Sequence, residues 1–104
     1  MTLEDLKKRC ENAGFKYAYG KFSKAVEPPH LVAFEQQSDN FFADNRVYRK
    51  DKPIQLDYTY IDKNIDLQNK IEDEILGDIS WNKSEEAYLS DEDVWQVSYF
   101  FELN

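Results

Sequence analysis

From Ile54 to Tyr60 apolar and polar residues alternate without a break. Ile54, Leu56, Tyr58 and Tyr60 fall on one side, and Gln55, Asp57 and Thr59 on the other. A period of two puts these sets on opposite faces of a β-strand, whereas a helix repeats its apolar positions about every 3.6 residues. The same alternation returns at the end of the chain, where Trp95, Val97, Tyr99, Phe101 and Leu103 interleave with Gln96 and Ser98. Two strands that are each apolar on one face need a second layer to cover that face.

Two segments can supply the cover. Thr2 and Asp5 have the spacing of a capping box, Leu3, Leu6, Cys10 and Ala13 recur at helical intervals, and Gly14 stands where a helix would end. This predicts a helix over Leu3–Asn12. Asp62 or Asn64 can cap a second helix carrying Leu67, Ile71 and Ile75, with Gly77 just past its end and Asp66 placed to pair with Lys70. Further extended pieces are expected over 16–22, 31–35 and 45–50, with turns at 38–44 and 51–53 and a proline-bound loop at 23–29. Residues 79–83 and 85–89 read as short strands that offer Trp81 and Tyr88 to the core. These elements give one α+β domain over 1–104, an antiparallel or mixed sheet covered by two helices in two layers.

Charge and residue chemistry narrow the function classes. The chain totals −8: residues 1–52 hold ten Lys/Arg against eight Asp/Glu (+2), and residues 53–104 hold three against thirteen (−10). An acidic second half disfavours a phosphate-binding surface there, so no specific nucleic-acid binding is expected. No apolar run approaches the roughly 20 residues of a membrane helix, and the N-terminus lacks the pattern of a signal peptide. The single Cys10 lies on the apolar stripe of the first helix and fits a buried small hydrophobe in a reducing compartment. The single His30 has no cysteine cluster or metal-ligand spacing around it, which leaves packing as its reading. Asp39, Asp44, Asp91 and Asp93 lack the glycine spacing of a calcium loop. Gly14–Gly20 lacks the Gly-Lys-Ser/Thr of a phosphate loop. No catalytic set, cofactor site or metal site is read, and no enzymatic activity is expected.

The excess is aromatic: seven Tyr, seven Phe and two Trp. Most fall at alternating core positions. Phe41 and Phe42 do not, because they sit inside the polar stretch Ser38–Asn45, and they need burial either on their own sheet or on another chain. Arg46, Arg49 and Lys50 follow closely. Phe41, Phe42, Arg46, Arg49 and Lys50 are therefore the candidate protein-interface residues.

Several motifs carry a resemblance: Gly14-Phe-x-x-Ala-Tyr-Gly20, Pro28-Pro-His-Leu-Val32, Ser38-Asp-Asn-Phe-Phe-Ala-Asp-Asn45, Val47-Tyr48 and Trp95-Gln-Val-Ser-Tyr99. Together they resemble a group of short prophage structural proteins of Gram-positive bacteria, and the element order is similar to that of tail terminators. The resemblance implies a non-catalytic part of the head–tail joining or tail-completion region. Such a part forms a ring of identical subunits, six-fold in terminators, and docks on tail-tube and head-connector proteins. It is found in the host cytoplasm during assembly and then in the virion. The alternative is an acidic DNA mimic or host-factor inhibitor, suggested by the −10 half. A mimic requires carboxylates spaced like phosphates along one face, whereas here they alternate with core residues and cluster in turns.

Overall fold

The computed structural model describes residues 1–36 and 52–103. Helix α1 (Leu3–Asn12) opens with the reciprocal box expected of Thr2 and Asp5. The Asp5 amide donates to Thr2 Oγ1 and the Thr2 amide to Asp5 Oδ2, both at 3.1 Å. It ends at Gly14, whose φ of 92° lies in the left-handed region where a side chain would be strained. Asn64 caps the second helix by accepting the Leu67 amide at 3.1 Å. That helix, α2 (Ile65–Lys70), widens into a π-helical turn over Ile71–Ile75, closed by the Leu76 amide donating to the Ile71 carbonyl at 3.0 Å. The extra residue in this turn lets Ile71, Ile75 and the adjacent Leu76 all be fully buried, which a strict four-residue spacing does not predict.

Among the described residues six strands form one mixed sheet: β1 (Lys16–Tyr19), β2 (His30–Glu35), β3 (Lys52–Tyr60), β4 (Asn82–Lys83), β5 (Ala87–Leu89) and β6 (Val94–Leu103). The order is β1-β2-β3-β6-β4, with β5 also on β6; β1 and β2 are parallel and every other pair is antiparallel. The α+β two-layer architecture is the one the alternation required. β3 begins earlier than expected: Lys52 and Pro53 belong to the strand rather than to a turn, and the Pro53 carbonyl accepts the Gln36 amide at 2.8 Å. Proline is tolerated there because it sits at the strand's start.

One face of the sheet carries the core. Leu31, Ala33, Ile54, Leu56, Tyr58, Tyr60, Val97, Tyr99, Phe101 and Leu103 pack with Leu6 and Cys10 of α1 and with Ile71, Ile75 and Leu76. Phe15 meets Tyr58 edge-on at 6.1 Å, Tyr58 stacks on Tyr60 at 4.9 Å, and Trp81 stands edge-on to Tyr99 at 5.5 Å. Complete burial of a Leu, Ile or Phe contributes about 1.5–3 kcal/mol, so this layer dominates the stability. Polar links join the helix ends. Arg9 grips Asp78 through two bonds of 2.7 and 3.0 Å and also donates to the Ile75 carbonyl, while Lys70 donates to the Ala13 carbonyl at 3.1 Å. Lys70 is thus bound to the end of α1 rather than to Asp66.

Two assignments to the core need correction. Tyr88 is 50% exposed and Trp95 39% exposed, although both point to the face that carries the core. Their end of the face is not fully covered, and alternation cannot show how far a covering helix reaches. The expected strand over 45–50 and turn over 38–44 lie outside the described residues.

Candidate functional site

The other face of the sheet is where polar chemistry gathers. Strand register sets its side chains in three rows: His30, Thr59 and Gln96; Val32, Asp57 and Ser98; Phe34, Gln55 and Phe100. Each row crosses β2, β3 and β6. All three β3 positions are polar, β6 adds Gln96 and Ser98, and the apolar members are Val32, Phe34 and Phe100.

The polar groups bond to one another. Asp57 Oδ1 accepts from Gln55 Nε2 at 2.8 Å and from Ser98 Oγ at 2.6 Å; Gln55 Nε2 also reaches Ser98 Oγ at 3.3 Å. Gln96 Nε2 donates to Thr59 Oγ1 at 3.5 Å, a long contact. A partly buried carboxylate with two charge-assisted hydrogen bonds is fixed in place. The alternation alone puts Gln55, Asp57, Thr59, Gln96 and Ser98 on this face, but their pairing needs the β3–β6 register.

The crossover from β1 to the parallel β2 passes over one end of this face. It carries Phe22, whose ring stands edge-on to His30 at 5.1 Å, and a cis peptide between Pro28 and Pro29. Val26 and Pro28 of the crossover, with His30, Asp57, Thr59 and Glu92, border an open cavity of about 440 Å³. Among the described residues the buried His30 Nδ1 has no hydrogen-bond partner. Burial pushes the imidazole below its ordinary value and the nearby Lys16 adds to this, while Glu92 opposes it. His30 is thus a half-buried ring packed edge-on against Phe22, with burial opposing its charged form.

Several other titratable groups are engaged in structure. Burial would raise the Glu72 carboxyl, but hydrogen bonds from Lys83 Nζ (2.9 Å) and the Tyr99 hydroxyl (2.8 Å) outweigh it and hold the carboxyl below its usual range. Glu86 accepts from Lys63 Nζ and from the Tyr60 hydroxyl. Burial pushes the Cys10 thiol up to about 12, so it stays protonated. Among the described residues no three His, Cys, Asp or Glu side chains gather as a metal site requires, and no helix is long and apolar enough to cross a membrane.

The sequence-derived interface set, Phe41, Phe42, Arg46, Arg49 and Lys50, lies wholly outside the described residues, as do Asp39 and Asp44. The described strands do locate its attachment. β2 and β3 are antiparallel neighbours still bonded at Gln36 and Pro53, so the described residues on either side of 37–51 end at adjacent positions. Sequence reading missed the exposed Tyr88–Trp95 pair, because both residues have the spacing of core positions. Comparison with protein-family models, curated proteins and solved structures finds no match.

Proposed function

We propose that this chain is a structural protein of a phage particle, acting in head–tail joining or tail completion by self-association and docking rather than by catalysis. The reading rests on the motif resemblance, above all Ser38–Asn45 with its paired Phe41 and Phe42. The fold observation beside it is that Gln36, just past β2, and Pro53 of β3 are hydrogen-bonded neighbours on either side of residues 37–51. The sequence between them carries two phenylalanines, two arginines and a lysine.

A closed ring joins two different surfaces of each copy. The +2 first half and the −10 second half are unlike in the required sense. In the proposed contact, Phe41 or Phe42 is the apolar anchor, and Arg46, Arg49 and Lys50 orient the segment against the neighbour's acidic half. The acidic-mimic alternative is less favoured: Glu72, Asp78 and Glu86 are engaged by Lys83, Arg9 and Lys63 within the chain.

Sedimentation velocity at high protein concentration and two salt levels tests the reading. The expected result is an oligomer that weakens as salt rises and is lost in Phe42→Asp. A strict monomer under all conditions would refute self-assembly by the isolated chain, and an oligomer indifferent to both perturbations would remove the 41–50 segment from the interface. Capsid and tail-tube genes on either side of the coding sequence would independently support the particle assignment.

A further inference from the structure

One row of rings changes from buried to exposed as it crosses the sheet. Tyr60 on β3, Trp95 on β6 and Tyr88 on β5 lie directly opposite one another. Their exposure rises from 2% to 39% to 50% toward the β5 edge. The outer two rings are in contact, with centroids 5.3 Å apart and planes tilted by 55°.

The inner end of this row is already completed by a cation. Lys63 Nζ stands 6.0 Å from the Tyr60 ring centre and pairs with Glu86, which also accepts the Tyr60 hydroxyl. The outer end has the same parts except the cation. Asp93 accepts the Tyr88 hydroxyl, and its φ of 56° places it in the left-handed region, which Asp tolerates better than most residues. Among the described residues the only cation over a ring is Lys63, so none stands over Trp95 or Tyr88. The local field favours a cation, since five of the nine residues from 85 to 93 are Asp or Glu and none is Lys or Arg.

We propose that Trp95 and Tyr88 form a docking site for an arginine-bearing segment of a partner protein, with the guanidinium lying on the exposed rings and facing Asp93. The planar guanidinium stacks flat on an aromatic face while its edge bonds a carboxylate through two parallel N–H groups, a fork that the compact ammonium of lysine lacks. Trp, Tyr and Arg are also the residues on which interface energy concentrates. The five carboxylates of residues 85–93, with no base among them, supply the charge complement for such a basic segment. The proposal uses only described residues and stands whether or not the chain belongs to a phage particle.

The test uses the full chain with Trp81→Phe, which keeps an aromatic ring against Tyr99 and leaves Trp95 as the sole tryptophan. Its fluorescence is followed while a short Gly/Arg peptide is added, and then the same peptide with citrulline replacing arginine. The expected result is a saturable change with the arginine peptide that is about tenfold weaker with citrulline. A similar loss is expected in Tyr88→Ala and in Asp93→Asn, two exposed positions at which the fold is kept and can be verified by circular dichroism. No saturable change, equal response to both peptides, or indifference to both substitutions would overturn the proposal. So would burial of Trp95 that grows with protein concentration alone, because a second copy would then be the occupant.

Discussion

Gly77 follows the π-helical turn, and replacing it with alanine sets two effects of opposite sign against each other. Its backbone is outside the left-handed region, where only Gly14 and Gly20 lie among the described glycines. On conformational grounds alone, alanine at such a site stabilises by about 0.4–1 kcal/mol, because the unfolded chain loses freedom. The local geometry reverses the sign. A Cβ at position 77 would stand 2.2 Å from the Asp73 carbonyl oxygen and 3.1 Å from its carbon, and these are backbone atoms that no side-chain rotation can move aside. Relieving such a contact requires a backbone shift at the π turn that seats Ile75 and Leu76, and overpacking of this kind costs about 1–3 kcal/mol. The net expectation for Gly77→Ala is a loss of about 1–2 kcal/mol, which lowers Tm by roughly 5–15 °C in a domain of this size. Urea unfolding followed by circular dichroism measures it, with an unchanged m value showing that two-state behaviour is kept. A variant as stable as the parent, or more so, would refute the steric argument and with it the geometry of the turn.

Two further expectations concern single titratable groups. His30 should titrate below its ordinary value of 6.5, owing to burial first and Lys16 second, and its resolved ring signals make NMR the direct measurement. Because the unfolded chain then takes up the proton at a higher pH than the folded one, His30 leaves stability unaffected above about 6.5 and lowers it as pH falls through that value toward the folded midpoint. A folded midpoint at or above 6.5 would contradict the burial argument. Cys10, fully buried on α1 with its thiol pushed up to about 12, should resist thiol reagents at pH 8 in the native protein and react at once in denaturant. Rapid native-state labelling would show that α1 does not seal this site.

The sequence by itself determined what local periodicity and capping chemistry encode. The two long alternating strands, the Thr2–Asp5 box, the helix-ending Gly14 and the two-layer α+β class are all short-range statements, and the structure agrees with each; of the two caps open for the second helix, Asp62 or Asn64, it uses Asn64. Alternation also sorted Gln55, Asp57, Thr59, Gln96 and Ser98 onto one face. Register belongs to the tertiary structure, because a period of two names a face but not a partner. Only the pairing of β3 with β6 joins Asp57 to Ser98 across 41 positions of sequence. The extent of the covering layer is a second such fact: Val97 and Trp95 have identical spacing, yet one is 1% and the other 39% exposed. The third is the parallel placement of β1 beside β2, whose crossover brings Phe22 edge-on to His30. Each depends on contacts between segments far apart in sequence, and these form only when the whole chain has chosen one packing.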